Sequence, residues 1–471
     1  MIDLIFREYD IRGKVGTELD PGKVYDFARA LAYYFKQQNQ DIKTVAIGMD
    51  GRTHSPELKE RLCAGLLDSG LDLVFLGICP SPALYFSLHV LPVDAGVMIT
   101  ASHNPKEYNG FKICLGTNCV WGKQITEIRD LFKRGVALNT THKGAMVDSP
   151  IVQPYVTWLR NHFTQLLDMD LPMVIDCGNG AGAAVIPALV EIMRWPNVQL
   201  LCATVDGSYP NHEADPTKQE NMRDVKQTLA TTDAVLGIGL DGDADRMSAM
   251  TKSGRLVAGD ELLALFCKQV LEEFPGTSVV IDIKSSCALI ELITRYGGIP
   301  YLSPSGHAII KEYMKKTGAK IGGELSCHFI FADHYFGYDD AIYAFLRLLA
   351  LIHTTHKTLD ELLTIIPKRF GSAEIRIPCP EAQKQQLVAA VKRFFIHNPY
   401  AAFNELDGVR ISMPYGWGII RPSNTQAMVS LRFESESAEG LRQIKQDFFD
   451  ALTSYCDESS LYNYLALKDH C

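Results

Sequence analysis

Two clusters in this chain have the residue types and spacing for phosphate chemistry. The first is Thr100-Ala-Ser-His-Asn-Pro105, directly after the apolar run Ala95-Gly-Val-Met-Ile99. An apolar run cut off by small polar residues reads as a buried strand delivering a serine to the end of a sheet. Asn104-Pro105 then forces a turn, because the residue before proline is pushed out of the helical region. Ser102 is therefore presented, not packed. The setting is not Gly-x-Ser-x-Gly, so the nucleophile elbow of the α/β-hydrolases does not apply. The second cluster is Gly239-Leu-Asp-Gly-Asp-Ala-Asp-Arg246, after the apolar run Ala234-Val-Leu-Gly-Ile238. Asp241, Asp243 and Asp245 alternate along a tight loop, which suits a hard cation. A Ca²⁺ loop of EF-hand type fails in detail, since its sixth position is Arg246 and its twelfth is Lys252. Three carboxylates straight after a buried strand repel one another without a cation. Three ligands also leave room for a phosphate oxygen, as Mg²⁺ prefers. A serine plus such a site points to phosphoryl transfer through a phosphoserine.

Three further loops carry polar chemistry. Arg421-Pro-Ser-Asn-Thr425 joins a fixed cation to hydroxyls and an amide, which suits a phosphate gripped bidentately by arginine. Glu324, Ser326 and His328 share one turn; carboxylate and hydroxyl suit sugar hydroxyls, and the imidazole suits proton transfer. His103 reads as an orienting residue, with general acid/base work as its second option. Gly178-Asn-Gly-Ala-Gly182 follows a strand and comes close to a dinucleotide-binding turn, with Asp206 ending the later run Gln199 to Val205. It supports a rival reading as an NAD-dependent oxidoreductase. The glycine spacing fits imperfectly, and that reading explains neither Ser102 nor the three aspartates.

The positioning elements alternate. A helix over about 21–38 leads to the strand Thr44 to Gly48 and the polar loop Asp50-Gly-Arg52. Ser55-Pro-Glu-Leu58 reads as a helix start, with Ser55 as N-cap and Pro56 in the first turn. The strand Asp72 to Leu76 and the strand delivering Ser102 follow. The pattern recurs in Pro172 to Asp176 and Ala234 to Ile238, then in Ser278 to Ile283 and Ala319 to Gly322. Each unit has an apolar strand with an aspartate near its end (Asp50, Asp176, Asp282), then a second strand whose exit loop is chemically loaded. Such alternation means α/β layers with largely parallel sheets, and their loops converge at the strands' carboxyl ends. After Pro367 the pattern becomes mixed, as in a smaller α+β domain.

At 471 residues the chain exceeds one core and suits three or four domains. Its composition, 47% hydrophobic and 21% charged, is that of a globular protein. A net charge of -9 argues against nucleic-acid or membrane-surface binding. We find no signal pattern and no apolar run long enough for a bilayer. The twelve dispersed cysteines form no Cys-x-x-Cys pair, and Cys63, Cys202 and Cys267 sit among apolar residues. Buried reduced thiols and a cytoplasmic location are expected.

Taken together, these loops and Phe6-Arg-Glu-Tyr-Asp-Ile-Arg-Gly13 resemble the α-D-phosphohexomutases, most closely the bacterial phosphomannomutase/phosphoglucomutase group. The likeness spans nearly the whole chain. It implies three consecutive α/β domains (1–147, 148–253, 254–367) and a C-terminal α+β domain (368–471) around one central cleft. It implies that Ser102 carries the phosphoryl group and, with Asp241, Asp243 and Asp245, holds Mg²⁺, while Arg246 faces the phosphate. His103, Lys112 and His328 join the catalytic set. Glu324 and Ser326 would read the sugar, Arg421, Ser423, Asn424 and Thr425 would grip the second phosphate, and Tyr9, Arg12, Lys284 and His307 would line the cleft. The implied substrates are phosphorylated hexoses of mannose or glucose, with a hexose 1,6-bisphosphate as intermediate and activator. A phosphoglucosamine mutase is the alternative within the family, and a non-catalytic sugar-phosphate sensor lies outside it. The expected working unit is a monomer, with a dimer as the other option. Two departures bear on sugar preference: Leu325 and Cys327 replace Met and Gly of the usual sugar loop, and Gln426-Ala427 stands where the phosphate loop usually continues to proline. Cys327 adds a Cβ where backbone freedom is needed.

Overall fold

Residues 5–423 and 427–465 are described in this computed structural model. They build four sheets, each from a continuous stretch of chain. The first contains β1 (Ile11–Lys14), β2 (Thr44–Met49), β3 (Asp72–Ile78), β4 (Ala95–Ile99), β5 (Tyr108–Leu115), β6 (Asn118–Cys119) and β7 (Met146–Asp148). Its order is β1-β5-β4-β2-β3-β7, with β6 beside β5. The second contains β8 (Met173–Asp176), β9 (Val198–Leu201), β10 (Leu236–Leu240) and β11 (Met247–Thr251) in the order β11-β10-β8-β9. The third contains β12 (Ser278–Asp282), β13 (Ile299–Ser303), β14 (Ile321–Gly323) and β15 (Phe329–Phe331) in the order β13-β12-β14-β15.

One arrangement recurs in all three. Parallel strands make the body of the sheet, and a hairpin adds an antiparallel neighbour: β4 to β5, β10 to β11, and β14 to β15. β4, β10 and β14 are buried throughout, as expected for strands covered on both faces. Each hairpin loop is one of the chemically loaded segments, so the threefold repeat expected from the sequence holds. The fourth sheet, from β16 (Phe370–Gly371), β17 (Ile375–Pro378), β18 (Ala402–Asn404), β19 (Val409–Met413), β20 (Gly416–Pro422) and β21 (Met428–Ser435), is antiparallel throughout. The four-unit α/β architecture with mixed sheets is thus present.

One core joins the first three units. The helix Ala341–Thr355 is buried at every position from Ala341 to Ile352, and a helix apolar all round belongs inside a large core. It packs in one cluster with Leu76 and Phe86 of the first unit, Ile175 and Ile238 of the second, and Phe266 and Phe329 of the third. Burying each such side chain contributes about 1.5–3 kcal/mol. Asp340 caps this helix, accepting from the N–H groups of Ile342 and Tyr343 at 2.9 Å. The last sheet docks through cations: Arg410 donates to the carbonyl of Ile283 at 2.6 Å and stacks 3.6 Å over Trp417, while Arg432 pairs with Asp260 at 2.9 Å. No described helix is long and apolar enough to cross a membrane.

Local expectations need correcting at three places. Ser55 is the first residue of the helix Ser55–Asp68, not its N-cap; its hydroxyl donates to Asp50 at 2.8 Å. The strand after Ala234 begins at Leu236 and runs to Leu240. β9 ends at Leu201, before Asp206, whose carboxylate accepts from the N–H and hydroxyl of Ser208 at 2.9 and 2.7 Å.

Candidate active site

The Ser102 and Asp241–Arg246 loops meet although 139 residues separate their key groups. The Ser102 hydroxyl donates to Asp241 Oδ2 at 2.9 Å. Ser102 adopts a left-handed backbone (φ 51) and is only 2% exposed. Strain of that kind persists where surroundings over-determine it, and here Arg52 does so. Its buried guanidinium, paired with Asp50 at 3.1 Å, donates to the carbonyls of Ser102 (2.8 Å), Asn104 (2.6 Å), Pro105 (2.8 Å) and Tyr108 (3.0 Å). Gly242 permits the approach, since a Cβ there would meet the Ser102 carbonyl oxygen at 2.4 Å.

The three aspartates are fully buried. Asp241 Oδ1 accepts from the N–H groups of Asp245 (3.1 Å) and Arg246 (3.2 Å). Asp243 Oδ2 accepts from Ser81 at 2.5 Å, and Lys112 Nζ reaches Asp243 and Asp245 at 2.6 and 2.5 Å. Burial pulls the Lys112 ammonium down, but the carboxylates of Asp243, Asp245 and Asp339 outweigh it and leave it raised. Burial, then Asp245 and Asp243, pushes the Asp241 carboxyl far above its ordinary range. Among the described residues, nothing donates a hydrogen bond to Asp243 Oδ1 or Asp245 Oδ1. Two orphaned buried acceptors, and three buried carboxylates faced, among the fixed cations of the described residues, only by Lys112 and by Arg246 Nε 3.9 Å from Asp241, fit a divalent cation, with the three aspartates together as its ligand set.

Beside this centre, Arg246 Nε donates to His328 Nε2 at 2.9 Å. An arginine can only donate, so the proton of a neutral His328 lies on Nδ1. That nitrogen stands 3.1 Å from Asp339 Oδ2 and 3.6 Å from Asp245, off the direction of a good hydrogen bond. His307 stacks on His328, with ring centroids 5.1 Å apart, and also reaches Asp339 at 2.9 Å; Lys311 pairs with the other Asp339 oxygen at 2.7 Å. Burial lowers the His307 imidazolium, but Asp339 leaves it raised. His103 Nδ1 is 3.2 Å from the Ser102 hydroxyl, and burial followed by Arg246 and Arg12 holds its imidazole neutral, well below the ordinary value.

These groups open onto a cleft of about 390 Å³ that all four units line. Ser102, His103, Lys112, Asp245, Arg246 and His328 form its floor, with Asp241 and Asp243 beneath. Tyr9 and Arg12 stand on one wall, where Tyr9 donates to the Ser305 carbonyl at 2.6 Å and Arg12 to Asn104 at 2.6 Å. Glu324 accepts from Ser326 at 3.0 Å and from the Gly306 N–H. Lys284 sits 3.3 Å from Glu374, and His307 completes this side. Arg421 and Ser423 close the cleft; Arg421 Nε donates to Asp407, which also accepts from the Ser305 N–H. Asn424 and Thr425 lie outside the described residues. Cys327 has φ 69 in the left-handed region, and its buried thiol accepts from Ser248 at 3.6 Å.

Sequence reasoning missed Arg52, Ser81, Asp339 and Asp407, along with Asp215, Lys218, Glu374 and Arg376 in the cleft wall. The expectation that Cys202 is buried among apolar residues also fails, since it is half-buried beside His212 at 3.8 Å. The Gly178–Gly182 turn has a packing explanation. A Cβ on Gly180 would meet the Gly242 backbone at 2.6 Å, and Ala181 N–H donates to the Gly242 carbonyl at 2.8 Å. The glycines form a shelf under the acidic loop, and this packing against Gly242, not a dinucleotide, accounts for them.

Comparison with known proteins covers each of the four units. Models of the phosphoglucomutase/phosphomannomutase family match in order: alpha/beta/alpha domain I over residues 3–137, domain II over 153–254, domain III over 258–370 and the C-terminal domain over 374–451. A phosphomannomutase/phosphoglucomutase of Pseudomonas syringae pv. tomato is 37% identical over 98% of this chain and 97% of its own. A solved family member from Burkholderia thailandensis superposes with TM-score 0.88 at 32% identity, covering 96% of this chain and 98% of that one. The fold also extends to Aspergillus fumigatus N-acetylphosphoglucosamine mutase. One solved chain, with GlcNAc-6P and magnesium, gives TM-score 0.57 at 15% identity, covering 79% of this chain and 91% of that one. Its S69A form with glucose 1,6-bisphosphate gives 0.62 at 14%, covering 96% and 95%. With matches across all four units, the chain belongs to the phosphoglucomutase/phosphomannomutase family of intramolecular phosphotransferases.

Proposed function

We propose that the chain interconverts hexose 6-phosphate and hexose 1-phosphate, of mannose, glucose or both, with Ser102 as phosphoryl carrier. The observation that carries this is the 2.9 Å contact between the Ser102 hydroxyl and Asp241 at the floor of a cleft rich in cations. Asp241, Asp243 and Asp245, with a phosphoserine oxygen, would hold Mg²⁺, which supplies charge neutralisation when bound. The Oγ–P bond of phosphoserine breaks as the sugar's free hydroxyl bonds to phosphorus. The product is a hexose 1,6-bisphosphate. After it turns over in the cleft, Ser102 recovers the other phosphoryl group, and added bisphosphate serves as activator by priming the serine.

Each neighbouring group has a part. Arg246 and Lys112 match charge on the moving phosphoryl group. Neutral His103 orients the serine hydroxyl, and His328, with its proton on Nδ1, would take the sugar hydroxyl's proton at Nε2 as that hydroxyl displaces Arg246 from it. Glu324 and Ser326 accept and donate to sugar hydroxyls. Arg421, Ser423, Asn424 and Thr425 grip the phosphate that stays, while Tyr9, Arg12, Lys284 and His307 line the route between. We take the units as 1–147, 148–253, 254–367 and 368–471. Since one chain supplies every wall, a monomer suffices.

The test is steady-state turnover of mannose 1-phosphate and glucose 1-phosphate with Mg²⁺ and a trace of the matching bisphosphate. Turnover of either supports the reading. Turnover of glucosamine phosphate alone assigns the chain to the aminosugar branch, and binding without turnover makes it a sensor.

A further inference from the structure

Beyond the catalytic floor, three metal-binding side chains meet at the carboxyl ends of β8 and β9. Asp176 ends β8, Cys202 follows β9 directly, and His212 returns from the next loop. One ligand atom from each lies within 4.8 Å of the other two. His212 Nε2 is 3.0 Å from Asp176 Oδ2 and 3.8 Å from Cys202 Sγ. Tetrahedral Zn²⁺, with bonds of about 2.3 Å to sulfur and 2.0–2.2 Å to nitrogen and oxygen, sets such pairs about 3.3–3.6 Å apart.

Each donor is held from its far side. Asp176 Oδ1 accepts from the Gly178 N–H at 2.8 Å, leaving Oδ2 toward His212. His212 Nδ1 is 2.9 Å from the Glu213 carbonyl oxygen, so it must be the N–H donor. Nε2 is then the nitrogen that takes either a proton or a cation, the outer-contact pattern of metal-bound histidine. Cys202 adopts φ 47 in the left-handed region, and its carbonyl accepts from the Asn179 N–H at 3.0 Å. Sulfur, imidazole and carboxylate together favour a transition ion over Mg²⁺ or Ca²⁺.

We propose that Asp176, Cys202 and His212 bind a Zn²⁺-type transition-metal ion, with water as the fourth ligand, at a site separate from the three-aspartate centre. Binding releases the thiol proton and the Nε2 proton to solvent and forms bonds to Sγ, Nε2 and Oδ2. No electron is transferred. The ion staples the loop after β9 to the glycine shelf, and that loop continues into Glu213, Asp215 and Lys218 of the cleft wall.

The test titrates the full-length protein with Co²⁺ in excess Mg²⁺, which keeps the aspartate centre filled. A thiolate-to-cobalt charge-transfer band should saturate at a single equivalent and be displaced by Zn²⁺. Cys202→Ser should abolish the band, and His212→Gln should weaken binding by more than the roughly 10–100-fold that losing an outer contact costs. Cys287→Ser, at another half-buried thiol, should leave it unchanged. In the unaltered protein, Zn²⁺ should protect Cys202 from iodoacetamide, read by peptide mapping, which needs no variant to fold. A wild-type protein without the band, a band that survives Cys202→Ser, or unprotected Cys202 would each overturn the site.

Discussion

The Lys112 ammonium sits between two carboxylates of the acidic loop, 2.6 Å from Asp243 and 2.5 Å from Asp245. It provides positive charge inside the centre proposed for Mg²⁺. In Lys112→Met both carboxylates lose that partner, and breaking a buried pair costs about 3–5 kcal/mol. The cation-free variant should melt well below wild type. Mg²⁺ should recover more stability in the variant than it adds to the wild type, because it replaces the missing charge. Thermal melts with and without Mg²⁺ check this, and equal Mg²⁺ shifts in both proteins count against it.

Arg52 fixes the serine loop through four backbone carbonyls. Lysine keeps the charge but lacks the planar fork. Arg52→Lys should lower kcat about 10²-fold, the scale of effect expected from small misplacement, and amide exchange over residues 102–108 should quicken. Unchanged kcat would show that the loop holds its shape without this clamp.

Asp339 faces His307, His328 and Lys311 at 2.7–3.1 Å. We expect it to position the two imidazoles. Asp339→Asn should cost roughly 10²-fold in kcat, the scale of lost general acid/base assistance, and change KM less. Because Asp339 opposes the lowering effect of burial on His307, NMR titration of His307 in the variant should move to lower pH. A His307 titration that stays in place would contradict the coupling.

Asp340 gives a pH prediction at the fold level. Burial pushes its carboxyl up to about 6, against hydrogen bonds from Tyr155 and Tyr335, each 2.6 Å long. An unfolded aspartic acid titrates near 3.9. Between about pH 4 and 6 the native state therefore keeps a proton that the unfolded chain has released. Stability attributable to this group falls as pH rises through that window, by about 3 kcal/mol, and stays level above it. Asp340→Asn, still a good cap, should lack this fall, so its stability relative to wild type improves from pH 4 to 6.5. Parallel denaturation profiles would refute the argument.

The three hairpin loops were legible in the sequence because each combines a buried apolar strand with an abrupt run of polar residues. Their threefold recurrence also made the parallel sheets readable. The residues behind those loops were not. Arg52 reaches Ser102 and Tyr108 from about fifty positions away, and Asp339 acts from the approach to a core helix; neither pairing leaves a spacing signature. Ser55 misled because serine before proline suits both N-cap and first helical turn, and only the tertiary contact with Asp50 decides between them. The Gly178–Gly182 turn resembled a cofactor loop because glycines that admit a pyrophosphate also admit a neighbouring backbone, here that of Gly242.

The phosphoserine relay is tested most directly by incubating the protein with hexose 1,6-bisphosphate labelled in its phosphates and mapping the labelled peptide. Label should appear on Ser102, chase into hexose monophosphate, and be absent from Ser102→Ala along with interconversion. Label on another residue, or full interconversion by Ser102→Ala, would contradict the account.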